Sequence, residues 1–135
     1  MSEKENVQFI KDAYAAWLQG DLDTVFSTYA EDVEWWFGGP PEIIPFAGPR
    51  QGHSQMREFF AKLNEVIEFE EYEIQDYIAQ DNKVIALGRS KVRVRSTGRQ
   101  FEDHWSELFE LREGKIAKMI YYNDTGRFVE ALQSK

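Results

Sequence analysis

The apolar positions of this chain change their spacing half-way along it, from a helical repeat to a strand repeat. Near the start, Val7, Ile10, Tyr14, Trp17 and Leu18 recur on one helical stripe, behind an S-x-x-E capping box at Ser2 and Glu5. Gly20 closes that helix and Asp21 caps the next, in which Leu22, Val25, Phe26 and Tyr29 repeat at helical spacing. VEWWF at 33–37 predicts a short strand. Met56, Phe59, Phe60 and Leu63 predict a third helix, opened by His53. The intervening residues 38–52 hold all four prolines and four of the nine glycines, a composition that supports no regular element. Ile43, Ile44 and Phe46 argue for an ordered segment there. The expectation is a loop folded over a cavity mouth, with a structured crossover as the alternative.

From about Val66 the period becomes two. Residues 82–96, NKVIALGRSKVRVRS, put Arg89, Lys91, Arg93 and Arg95 on one side and Gly88, Ser90, Val92 and Val94 on the other. STGR and REGK read as hairpin turns around a strand at 101–111, and KIAKMIYYN at 115–123 reads as the last strand. Asp124 then caps a short helix carrying Phe128, Val129 and Leu132. Three helices and then an antiparallel meander with one apolar face predict an α+β fold, a single domain over residues 1–135. The helices cover the apolar face of a curved sheet. The basic side faces away from them and pairs across strands with Glu102 and Glu110.

The strand FEDHWSELFEL carries the candidate chemistry. Phe101, Asp103, Trp105, Glu107, Phe109 and Leu111 share a face; Glu102, His104, Ser106 and Glu110 share the other, joined by Leu108. Glu107 therefore sits mid-strand on the covered side, where a lone ionised carboxylate costs too much. It must be paired, be protonated, or border a cavity. Inward basic residues are scarce, and burial lifts a carboxyl pKa by up to about 3–5 pH units. A protonated Glu107 is a hydrogen-bond donor and a general acid; a satisfied structural group among Tyr and Trp donors is the alternative. In the last strand Met119, Tyr121 and Asn123 share a face, so a phenol, an amide and a carboxylic acid can converge. The candidates are thus Glu107 and Tyr121 for catalysis, and Tyr14, Trp17, Trp35, Phe37, Trp105, Phe109, Met119 and Asn123 for ligand contact. Asp103, nearer the strand start, is expected at a solvated rim. His104 points outward, His53 is a helix-terminus residue, and the two do not form a metal-ligand spacing.

Composition sharpens this picture at a few points. Aromatic residues make up 15% of the chain, more than a minimal core needs, which suits an aromatic-walled pocket for an apolar molecule bearing one or two oxygens. The net charge of −8 repels phosphate backbones and anionic lipid, so neither nucleic acid nor a membrane is an expected partner. With no cysteine, thiolate catalysis and cysteine metal sites are excluded. The opening MSEKENVQF is charged and no apolar run is long enough to span a bilayer, so a cytoplasmic location is expected.

YAAWLQGDLDTVFSTYAEDVEW, the segment PFAGPRQG leading into MREFF, and DHWSELFELREGKI followed by YYNDT resemble the nuclear transport factor 2-like superfamily. Within it they are similar to SnoaL-like polyketide cyclases and ketosteroid isomerases, over nearly the whole chain. The resemblance implies a cone-shaped α+β barrel, a homodimer through the convex sheet face, and no cofactor. It also implies isomerase, cyclase or hydratase chemistry, with Glu107 as acid/base and Tyr121 and Asn123 orienting a carbonyl. The ketosteroid isomerase base, an Asp ending the first strand, is matched by Phe37. The first-helix Tyr is matched by Ala13, next to Tyr14, and the protonated Asp of the oxyanion hole by Glu107. The cyclase Asp of the last strand is matched by Tyr121. The Asp–Arg–Asp set of related epoxide hydrolases lacks an inward Arg beside Glu107. These departures motivate the alternative of a binding or assembly module without chemistry.

Overall fold

Caps and turns end the elements where the sequence signals them. In the computed structural model, which describes residues 1–133, the Ser2–Glu5 capping box opens α1 (Glu3–Leu18), and the Asp21 carboxylate accepts the Thr24 N–H at the start of α2 (Leu22–Ser27). There follow β1 (Tyr29–Phe37), β2 (Gly48–Gln51), α3 (Gly52–Val66), β3 (Ile67–Gln80) and β4 (Lys83–Val94). β5 (Gln100–Arg112), β6 (Lys115–Tyr122) and α4 (Thr125–Gln133) complete the chain. Glu113 and Gly114, with φ of 51° and 74°, make the two-residue turn between β5 and β6.

The strands form one curved six-stranded sheet in the order β2-β1-β6-β5-β4-β3, with helices packed against it. The sheet does not close into a barrel. Nor is it purely antiparallel, because β1 runs parallel to β6. β1 starts at Tyr29, four residues before the expected VEWWF, and β2 emerges inside the Pro- and Gly-rich segment. Pro49 is tolerated there because β2 is an edge strand. Among the described residues, no helix is long and apolar enough to cross a membrane.

The segment before β2 does not form the expected cover over a cavity mouth. Ile44 and Phe46 are fully buried, and the Phe46 ring packs against Phe37, Phe59 and Phe128. The Arg50 guanidinium, donating to the Phe46 carbonyl at 2.9 Å, ties the segment down. It plugs the α4 end of the core and contributes nothing to the cavity walls.

On the outer face, Arg89 pairs with Glu71, Glu73 and Glu102, and Arg93 and Arg95 pair with Glu68. Glu110 does not join them, because its strand neighbours are Lys83 and Lys118. On the inner face, β4 buries alternate residues from Val84 to Val94. Gly88 in this row faces Trp105. A Cβ there would lie 2.3 Å from Trp105 Cζ2 and 2.5 Å from the Glu73 carbonyl oxygen, and the latter is backbone that cannot swing aside. Gly88→Ala is expected to cost about 1–3 kcal/mol of stability in urea unfolding. A change within about 0.5 kcal/mol, the usual range for a surface substitution, would contradict this packing.

Candidate active site

Between the helices and the inner face of the sheet lies a cavity of about 80 Å³. Tyr14 and Trp17 reach it from α1, Trp35 and Phe37 from β1, Glu107 and Phe109 from β5, and Met119 and Tyr121 from β6. The strand register explains the meeting of the last two pairs, since Glu107 lies opposite Tyr121 and Phe109 opposite Met119. At the centre the Tyr14 hydroxyl donates to Glu107 Oε1 at 2.5 Å, a short bond in a buried setting. Burial drives the Glu107 pKa up to about 8, against the opposing pull of the Tyr14 hydrogen bond. Burial, and then the proximity of Glu107, pushes the Tyr14 phenol well above its ordinary value. At neutral pH the pair is therefore predominantly uncharged, with the Glu107 proton still to give.

Two further donors in the walls, Trp35 Nε1 and the Tyr121 hydroxyl, make no hydrogen bond of ordinary geometry among the described residues. Beyond the burial that raises both phenols, the Tyr121 hydroxyl is directed at the Tyr72 phenol closely enough to raise its own pKa and lower that of Tyr72, though the contact falls short of ordinary hydrogen-bond geometry. Tyr121 is fixed instead by stacking, on Phe37 at 4.9 Å and on Trp105 at 5.4 Å between ring centroids. Trp105 itself does not reach the cavity. It stands behind the wall, stacked on Tyr72 and Tyr121. Asn123 is also displaced from its expected place: its amide donates to the Gly38 carbonyl and accepts from Thr125, joining the ends of β6 and β1. Asp103 is not at a solvated rim. It is 0% exposed; Oδ1 accepts the Asp124 N–H at 2.9 Å and Oδ2 has no partner. Burial raises its pKa to about 7. The residue opposite it on β4, Ser90, likewise has an unpartnered buried hydroxyl. His104 is exposed, and His53 packs its ring nitrogen against the Tyr29 and Ala30 carbonyls. Among the described residues, no group of three or more His, Asp or Glu side chains could hold a metal ion.

A SnoaL-like domain model matches residues 10–119. The chain belongs to the SnoaL-like family. This SnoaL-like protein is 34% identical to a nuclear transport factor 2-like protein of Burkholderia xenovorans LB400, covering 98% of this chain and 99% of that one, with a TM-score of 0.89. It also superposes on a nuclear transport factor 2-like protein of unknown function from Burkholderia pseudomallei K96243, at 21% identity over 99% and 100% of the chains and a TM-score of 0.88. A third similar structure is TerC co-crystallised with polyporic acid, at 25% identity, 96% and 98% coverage and a TM-score of 0.82. No curated protein matches the chain.

The geometry also bears on the first helix. The phenol that α1 presents to Glu107 is Tyr14, and Ala13 is its neighbour on the wall. Tyr72 and Phe69, also on the wall, escape period-two reading altogether. The β3–β4 register shifts between Phe69 and Glu71, and again between Ile74 and Asp76. Each bulge returns an odd-numbered step to the same face, so Phe69, Tyr72, Ile74 and Tyr77 all turn inward. Phe59, Phe60 and Leu63 were legible as the stripe of α3, but nothing in their spacing distinguishes a cavity wall from solid core.

Proposed function

We propose that this SnoaL-like protein binds an apolar, oxygenated small molecule in the cavity and performs acid–base chemistry on it, of the isomerase, cyclase or hydratase kind. The observation that carries this reading is the buried Tyr14–Glu107 pair, 2.5 Å apart among aromatic walls. A carbonyl oxygen placed against Glu107 receives its proton, and Tyr14 holds the carboxylate that forms. The same carboxylate then removes a proton from the carbon next to the carbonyl, which gives the enol and restores the acid. One carboxyl serves both steps, and no separate base is required. The Trp35 indole N–H, and a Tyr121 hydroxyl able to turn from Tyr72, suit a ligand whose oxygens accept hydrogen bonds. TerC, with the same fold, was crystallised with polyporic acid, which supports a small-molecule ligand.

The test is exchange in heavy water with a panel of ketones, lactones, epoxides and hydroxy-aromatics. Deuterium entering next to a carbonyl, or a new product, in a Glu107-dependent manner supports the reading. Among the described residues Glu107 is the one carboxyl in the cavity walls, which favours the competing reading, a non-catalytic binding module. Binding with neither exchange nor product decides for that module.

We also propose that the protein is a homodimer through the convex face of its sheet. The strand registers align Trp36, Ile120, Leu108, Ile85 and Ile78 in one apolar row across five strands on that face. Trp36 is 40% and Ile78 53% exposed, and a row alternating in sign, Glu34–Lys118–Glu110–Lys83, runs alongside. Such a row suits a self-complementary twofold contact. Sedimentation at micromolar concentration is expected to give a dimer, and Leu108→Glu a monomer; a monomeric native protein removes the proposal.

A further inference from the structure

Two leucines that helical spacing assigns to buried stripes are left in solvent. Leu18 is 54% and Leu22 39% exposed. Both border an open groove over α1, α2, α3 and the start of β3. That groove and the inner cavity have Trp17, Phe60, Leu63 and Phe69 as common walls, which sets it against the cavity in the position of a vestibule. The inner cavity, at about 80 Å³, is only about half the size of an engineered apolar cavity that admits benzene, about 150 Å³. A cavity of that size does not enclose a whole aromatic ring, so any ligand larger than a few heavy atoms must extend outward past these four residues.

The vestibule has a charge that the chain as a whole does not. In a protein of net charge −8, its walls carry Arg57, Arg95 and a single acid, Glu68. Glu68 is engaged by Arg93 and Arg95, and Arg95 also donates to the Asn64 carbonyl at 2.7 Å. Arg57 makes no ion pair among the described residues; its guanidinium lies 4.3 Å over the Phe26 ring, another vestibule wall. An arginine stacked on an aromatic face keeps its forked donors at the edge, oriented for a planar two-oxygen acceptor.

We propose that the ligand is an elongated organic acid. Its oxygenated end enters the cavity at Tyr14 and Glu107, its apolar body passes Trp17, Phe60 and Phe69 and covers Leu18 and Leu22, and its carboxylate pairs with Arg57. This rests on the cavity being the ligand site. It adds that the vestibule, through Arg57, selects for a negative charge at the far end.

The experiment uses (ω−1)-oxoalkanoic acids of increasing chain length and the matching primary amides, titrated calorimetrically into the intact protein at pH 7. The expected result is an optimum length at which the acid binds about fivefold to tenfold more tightly than its amide, the gain of a partly exposed charge-assisted pair. Arg57→Gln should bring the acid to within about twofold of the amide, and raised salt should do the same in the native protein. Tyr14→Phe should weaken acid and amide alike. Equal affinities of acid and amide at every length, or a preference that survives Arg57→Gln, overturn the anionic end alone. Affinities indifferent to Tyr14→Phe overturn the cavity end and the functional reading beneath it.

Discussion

Glu107→Gln is expected to lower turnover of an accepted substrate by about 10²–10⁴-fold, the usual contribution of a positioned acid or base. The substitution is nearly isosteric, and the Gln carbonyl can still accept the Tyr14 hydroxyl now donated to Glu107 Oε1 at 2.5 Å. What it removes is the proton. Loss of kcat with little change in KM is the corresponding signature, because an interaction made mainly in the transition state has been deleted. A dependence on pH should accompany it. With the Glu107 pKa raised to about 8 by burial, the acid form dominates at neutrality. The native rate should therefore hold below that value and fall as pH rises through about 8. The Tyr14 hydrogen bond lowers the Glu107 pKa, so Tyr14→Phe should move the descending limb to higher pH while reducing the rate. Turnover in Glu107→Gln equal to the native rate would remove Glu107 from the chemistry.

How much of this site was legible depends on which physical rule governs each residue. Alternation in FEDHWSELFEL assigns Glu107 to the covered face, and a strand under one-sided burial cannot slip by a residue without exposing its core. Trp35, Phe37, Phe109, Met119 and Tyr121 follow from the same rule, and the structure brings them to one cavity. The rule stops where the ladder is irregular. Tyr72 reaches the wall through a bulge, which leaves no mark on a hydrophobic pattern. It also says which face a side chain takes but not what it meets there. Asn123 and Asp103 share faces with Tyr121 and Glu107, yet the first joins two strand ends and the second serves the Asp124 N–H beneath α4. The position of the Pro- and Gly-rich segment was equally beyond local reasoning. Its conformation is set by Phe46 finding Phe37 and Phe128, residues distant in the chain.

The two inward carboxyls also give this protein an unusual dependence of stability on pH. Asp103 and Glu107 have folded pKa values of about 7 and about 8, against 3.8 and 4.5 for the same groups in solvent. Between pH 4 and 7 the unfolded chain has released protons that the folded chain still holds. Unfolding therefore releases protons, and stability falls as pH rises. The loss is complete only above the higher folded value, near pH 8. Each group contributes about 1.4 kcal/mol for every pH unit between its two pKa values, so of the order of 4 kcal/mol apiece. That is a large fraction of the stability of a domain of this size. Glu5, Asp21 and Asp32 act in the opposite sense: hydrogen bonds from Ser2, Thr24 and Arg112 hold them below the usual carboxylate range. Their stabilisation is lost only as pH drops below about 4, outside the window of the buried pair. Urea unfolding is thus expected to show greatest stability near pH 4–5 and a decline towards pH 8. Asp103→Asn should roughly halve the slope between about pH 4 and 7, where Glu107 still contributes, with the Asn carbonyl still accepting the Asp124 N–H. Glu107→Gln should likewise halve that slope and remove the decline between about pH 7 and 8, and the two together should level the curve, so that the variant least active by the acid–base argument is more stable than the native protein in mild alkali. A native curve that is level from pH 5 to 8, or one whose slope survives both substitutions, would mean that neither carboxyl holds its proton in the folded state.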